Sequence, residues 1–220
     1  MVDGDGARRE LPEGHQPRPG GAASMMRPLR WFVLLCVAGL SSACSLNEAQ
    51  RQKLLQQSPP WYAEAGIVVN VKTEPTLNAW KGLANSVSLL ILQARDQHSL
   101  NALIASEKAA RALFSGAALP PQILAIDRFT ALPGQQATLH VNRVENARYV
   151  AVIAGYYPVP GAQQAAVVAV PVEIKRGWLG WKVSIETLRF STLWGERALV
   201  KLEGATNLLP TSSDRQEHGQ

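Results

Sequence analysis

From Ala65 to Glu203 the chain is cut by turn signals into short β-prone segments, and this cadence restricts the fold more than any other feature. Asn146 to Tyr157 (NARYVAVIAGYY) is the most apolar segment and is expected at the centre of a sheet. Ser86 to Ala94 (SVSLLILQA) alternates and then runs continuously apolar, as a sandwich strand does, and Ala65 to Lys72 (AGIVVNVK) is short and β-branched. Further strands are read at Gln122–Ala131, Ala137–Val144, Ala165–Ile174, Trp181–Phe190 and Ala198–Glu203. Leu132-Pro133-Gly134-Gln135 has Pro second and Gly third, which suits a type II turn. Pro171 cannot donate to a ladder and demotes the end of its segment to an edge or a bulge. One segment breaks the two-residue period. Leu100, Leu103, Ile104, Ala110, Leu113 and Phe114 recur near helical spacing, with Asp96 or Ser99 available as N-cap and Gly116 just beyond. The pattern predicts a mainly all-β protein, a two-sheet β-sandwich with a short helical insert between the second and third strands.

Ahead of this domain lies a stretch of a different kind. Arg27 and Arg30 precede an uncharged apolar run, Trp31 to Leu40, followed by Ser41, Ser42, Ala43 and Cys44. A charged end, a greasy middle and small residues are the layout of a secretory signal. The run is about ten residues where a bilayer span needs roughly 20. The cysteine directly after the small residues resembles a bacterial lipobox, with cleavage between Ala43 and Cys44 and N-acyl and diacylglycerol lipid on Cys44. An ordinary secretory signal with a cysteine nearby is the competing reading. Ser45, rather than Asp, follows the cysteine, which favours the outer membrane. Cys36 lies in the apolar run, so the mature chain would keep Cys44 alone and could form no internal disulfide. The expected layout is 1–24, a mis-assigned start or disordered segment with translation beginning at Met25 or Met26; 25–43, the signal; 44–60, a polar tether, briefly helical around Leu54–Leu55 and stopped by Pro59-Pro60; 61–209, the sandwich; and 210–220, a disordered tail.

Little in the domain points to catalysis. His98 is read in a turn, His140 within a strand and His218 in the tail, and none has the spacing of a metal-ligand pair. There is no Gly-x-Ser-x-Gly elbow and no phosphate-cradling glycine loop, and Ser99 and Ser191 read as solvated serines rather than nucleophiles. No catalytic residue, metal or cofactor beyond the lipid is expected. The net charge of +5 is scattered rather than striped, so nucleic acid is not an expected partner, and neither is a small-molecule substrate. Trp178, Trp181 and Trp194 stand among Gly177, Gly180 and Gly195. They read as core tryptophans beside turn glycines in preference to a sugar-stacking platform. Between the first two strands, Thr73 to Asn85 (TEPTLNAWKGLAN) is a loop carrying Leu77, Trp80 and Leu83. Two readings of these three stand equal, a lid folded onto the core or a binding surface.

The order of these features resembles the type VI secretion outer-membrane lipoprotein family called TssJ, or SciN. Leu92-Gln93-Ala94-Arg95-Asp96 stands where that family ends its second strand in a "YQL-x-D" element. Leu100 to Phe114 stands at its helical insert, Leu132-Pro133-Gly134 at its Pro-Gly turn, and Tyr149 to Ala154 at its strongly apolar strand. The resemblance covers roughly Ala65 to Pro160. It implies a transthyretin-like β-sandwich that is not an enzyme. It also implies a lipid anchor in the outer membrane, facing the periplasm, and a grip on the periplasmic C-terminal region of the inner-membrane protein TssM. The family's first inter-strand loop contributes to that grip, which puts Thr76, Leu77, Asn78, Trp80 and Leu83 forward as the partner-binding residues. Two alternatives differ in class: a periplasmic carbohydrate-binding sandwich lipoprotein using Trp178 and Trp181, and a pilotin-like assembly lipoprotein of another envelope machine.

Overall fold

The computed structural model describes residues 47–58, 60–157, 161–178 and 180–210. The signal stretch with Ala43 and Cys44, and the C-terminal tail with His218, lie outside them. A first helix, α1 (Glu48–Gln57), is followed by β1 (Ala63–Thr73), β2 (Val87–Ala94), α2 (Gln97–Ala105), α3 (Glu107–Phe114), β3 (Ile123–Ala131), β4 (Gln136–Arg143) and β5 (Tyr149–Ala154). A short 3-10 turn then leads to β6 (Ala165–Ala169), β7 (Val172–Gly177), β8 (Gly180–Ile185), β9 (Leu188–Trp194) and β10 (Leu199–Glu203).

The strands form two four-stranded sheets, β10-β9-β1-β4 and β3-β2-β5-β6, and a separate hairpin, β7-β8. The two-sheet sandwich with its helical insert between the second and third strands is therefore present. All neighbours are antiparallel except β1 and β9, which run parallel with Ile67 opposite Leu188.

Two apolar layers hold the domain. Between the sheets lie Ile67, Val69 and Val71 of β1, Leu89 and Ile91 of β2, Val150 and Val152 of β5, and Phe190 and Trp194 of β9. On the other face of the second sheet, Leu90 and Leu92 of β2 and Ala151 and Ile153 of β5 pack under Leu100, Leu103, Ile104 and Leu113 of the helices. β2 and β5 are thus buried on both faces, which is why their sequences run apolar rather than alternating. β4 is an edge strand of the first sheet. It alternates, with His140 exposed between half-buried Leu139 and buried Val141.

The insert is a helix pair broken at Ser106, whose backbone is extended and which closes α2 and caps α3 through its Oγ, accepting from Ala109 N–H at 3.3 Å. Asp96 is the N-cap of α2, accepting from Ser99 N–H at 2.7 Å. The helix begins at Gln97, so His98 sits in its first turn rather than in a loop. The expected strand 165–174 is split at Pro171 into β6 and β7. The expected strand 181–190 is likewise split into β8 and β9, because its chain leaves the hairpin at Glu186 and enters the first sheet at Leu188. The tether's helical part, expected only around Leu54–Leu55, extends over the ten residues of α1.

Candidate functional site

The loop between β1 and β2 is ordered residue by residue. Leu77 N–H donates to Glu74 O at 3.1 Å and Ala79 N–H to Thr76 O at 3.2 Å, two tight turns that swing the Leu77 side chain inward. It is fully buried in the layer between the sheets. Beyond it the chain doubles back on itself. Trp80 and Leu83 exchange both backbone hydrogen bonds, at 2.9 and 3.0 Å. The two residues between them, Lys81 and Gly82, have φ of +50° and +78°. This is a type I′ turn, which needs positive φ at both central positions and matches the twist of an antiparallel pair. Only Gly82 adopts that conformation freely.

Two asparagines lock the base. Asn78, itself at φ +47°, donates from Nδ2 to Ser86 O at 3.1 Å. Asn85 Nδ2 donates to Leu83 O at 2.8 Å, and Asn85 N–H to Leu77 O at 3.0 Å. Asn78 Oδ1 accepts from Tyr157 N–H at 3.3 Å, which ties the loop to the chain leaving β5. There the Tyr157 ring meets Trp80 edge to face, with centroids 5.1 Å apart. Trp80, Leu83 and Tyr157 are 55%, 72% and 68% exposed. An apolar patch is therefore displayed on a backbone that is already folded.

The lid reading and the binding reading each hold for part of the segment. Leu77 is a core residue and cannot itself touch a partner in this structure, so it is an anchor rather than a contact. Trp80 and Leu83 face solvent, Thr76 is exposed and Asn78 half-buried as loop framework. Tyr157, seventy-odd positions away, was invisible to a reading of the loop alone.

Other candidates resolve differently. Ser99 Oγ donates to Asp96 Oδ2 at 2.9 Å within the helix cap, which engages both groups structurally. Among the described residues no three His, Cys, Asp or Glu side chains gather as metal ligands. Trp194 is the core tryptophan, fully buried, its Nε1 donating to Thr192 Oγ1 at 2.9 Å. Trp178 and Trp181 are not core residues. They lie on the β7-β8 hairpin, outside both sheets, and are exposed. Gly177 and Gly180 flank the tip of this hairpin, whose strands pair with each other and with neither sheet, whereas Gly195 follows β9 and its N–H donates to Ala198 O at 2.9 Å.

Two buried polar side chains tie distant segments of the sandwich together, Gln93 at the end remote from the loop and Tyr156 at the end near it. Gln93, of the element at the end of β2, donates from Nε2 to Asn142 O at 2.8 Å and accepts at Oε1 from Val144 N–H at 2.9 Å, bridging the two sheets. Tyr156 donates its hydroxyl proton to Gly195 O at 2.8 Å. Burial, and after it the Glu74 carboxylate, push this hydroxyl well above the ordinary tyrosine range, so it remains a donor.

The fold and the site together define a class: a helix-backed β-sandwich that presents a preformed apolar loop. Within it, the chain belongs to the type VI secretion lipoprotein family (VasD, EvfM, TssJ), whose model matches residues 66–186, more than half of the chain. That family consists of lipoprotein components of a secretion system rather than of enzymes. The chain is similar to the type VI lipoprotein TssJ1 from Pseudomonas aeruginosa, at 20% identity over 70% of this chain and 99% of that one, with a TM-score of 0.47. It is similar to Serratia marcescens Lip, a membrane-bound component of the type VI secretion system, at 19% identity over 60% and 94%, with a TM-score of 0.47. A third match is a structure of the type VI protein TssM C-terminal domain from EAEC, at 18% identity over 66% and 98%, with a TM-score of 0.43. No curated protein matches the chain.

Proposed function

We propose that this chain is the outer-membrane lipoprotein of the type VI membrane complex. Held by lipid on Cys44, it grips the periplasmic C-terminal region of a TssM-like inner-membrane protein and acts without catalysis. The observation that carries the grip is the patch of Trp80, Leu83 and Tyr157 on a locked loop. A hot spot is typically a large aromatic, and a loop that is ordered before binding loses little entropy on docking. Ser45 after the cysteine supports the outer membrane as the site of attachment.

The test is affinity for the periplasmic region of a TssM-like protein from the same organism, measured on purified proteins. Trp80→Asp with Leu83→Asp should weaken binding at least about thirtyfold, the scale of a single hot spot. Unchanged affinity with an intact fold would place the grip elsewhere. For the anchor, Cys44→Ser should release the protein into the soluble periplasmic fraction. Retention in the outer-membrane fraction would contradict it.

A further inference from the structure

The β7-β8 hairpin is not used by this reading. Val172 pairs with Ile185, Ile174 with Val183, Lys175 with Lys182, Arg176 with Trp181 and Gly177 with Gly180, leaving a two-residue connection at the tip. Directly paired residues share a face. One face therefore carries Val172, Ile174, Val183 and Ile185 at its base, all half-buried, and Arg176 and Trp181 near the tip. The opposite face carries Glu173, Lys175, Lys182 and Ser184. From Lys175 to Lys182 there are three basic side chains and no acidic one, with Trp178 95% exposed at the tip. Lys175 reaches back to Glu173, Nζ to Oε2, at 2.8 Å. Lys182 stands directly opposite it, an arrangement of like charges that costs the hairpin stability.

The hairpin also has a defined neighbour. An open cleft of about 410 Å³ is lined by Gln57, Ser58, Trp61, Arg143, Val183 and Ile185. The buried Arg143 joins its two walls, donating from Nη1 to Glu186 O at 2.9 Å and from Nη2 to Trp61 O at 3.5 Å. The base of the hairpin thus lies beside the point where the tether enters the domain. Trp61 at that point is itself 70% exposed. Cys44 precedes Trp61 by seventeen residues, which span at most about 60 Å even fully extended.

We infer that the β7-β8 hairpin, with Trp61, is a second membrane contact, a surface that lies on anionic phospholipid beside the anchored N-terminus. Exposed tryptophans suit the headgroup level of a bilayer, where an amphipathic ring has both an apolar and a wet side. Lys175, Arg176 and Lys182 complement the negative surface of anionic lipid. A lipid chain alone leaves the domain free to turn about its tether. A second contact fixes which face looks away from the membrane. The inference rests on Cys44 as the anchor only for the delivery of the hairpin to the bilayer, and the affinity of the hairpin for vesicles can be measured without the lipid anchor or the partner.

The experiment uses the mature chain from residue 44 with Cys44→Ser, sedimented with phosphatidylcholine vesicles that contain none or about one quarter phosphatidylglycerol. The chain should pellet with the anionic vesicles and stay in solution with the neutral ones. Trp178→Ser with Lys182→Glu should lower the partition about tenfold or more while the domain still melts cooperatively and no earlier than the parent, since both side chains are exposed. Trp80→Asp should leave it unaltered. No pelleting of the parent chain with anionic vesicles, or a double variant that pellets like the parent, would overturn the inference. So would sedimentation with purified peptidoglycan but not with vesicles, which would make the indoles a sugar platform.

Discussion

Two tight turns on this molecule each expose a tryptophan, and they are built on opposite plans. The Trp80 turn is rooted: Leu77 is buried in the core, Asn78 and Asn85 bind the loop to itself, and Tyr157 packs on the indole. The Trp178 turn stands on a two-stranded ladder of its own, with lysines paired across it and no aromatic partner among the described residues. The first displays an apolar patch, with Lys81 as the one cation at its tip, on a preordered backbone, which suits a stereospecific protein contact. The second displays an indole among cations with little supporting structure, which suits a surface that is fluid and negatively charged. Exposure of a tryptophan is by itself uninformative; what the turn is anchored to distinguishes the two.

The sharpest way to break this comparison is at the anchors. Leu77→Ala should destabilise the domain by about 2–5 kcal/mol, the usual cost of truncating a buried leucine, read by denaturant unfolding. Trp178→Ala should stay within about 0.5 kcal/mol of the parent, as an exposed substitution does. Equal losses would mean that the hairpin is as much a part of the core as the loop is. Next in size, Trp80→Ala should cost about 2 kcal/mol of affinity for the proposed TssM-like partner while hardly moving the melting temperature, a separation seen by calorimetry of binding beside thermal unfolding. Gly82→Val forces a β-branched residue into φ near +78° and should cost about 1–2 kcal/mol, with lost partner affinity out of proportion to lost stability. The smallest effect is the most diagnostic. Lys182→Glu turns a like-charge pair into an attractive one and should stabilise the hairpin by a few tenths of a kcal/mol, while membrane binding falls. Stability and lipid affinity moving in the same direction would argue that the lysine pair is not held for a membrane.

The strands buried on both faces were legible because a continuous apolar run has one comfortable home, between two layers. SVSLLILQA and YVAVIA announced β2 and β5 for that reason, and the switch to helical spacing at Leu100 announced the layer that covers them. The Pro-Gly turn at Leu132–Gln135 was equally plain, since Gly134 takes the positive φ that a type II turn requires and Gln135 N–H closes it onto Leu132 O at 3.2 Å. What remained hidden depends on distant pairings. Leu77 and Trp80 look alike in a list of apolar loop residues, and only the turn geometry sends one inward and the other out. Tyr157 joins the patch through a contact across the fold. Gln93 reads as part of the family's strand-end element with no structural role, and the sequence does not single out Arg143, yet both are buried and hold backbone carbonyls from other segments. The hairpin tryptophans were misplaced because alternation along Trp181–Phe190 suggests one strand, while Glu186 and Thr187 carry the chain from a projecting hairpin into the sandwich.

The parallel seam between β1 and β9 also sets an order in time. The strands of the helix-backed sheet all come from the stretch 87–169, which also carries β4 of the other sheet. β1 finds β4 early, but its other neighbour arrives about 120 residues later, when Leu188 to Trp194 emerge. A chain threaded across a membrane from its N-terminus would then have its first strand, next to the tether, among the last to be sealed on both edges. The domain would close only once nearly all of it stood on the far side.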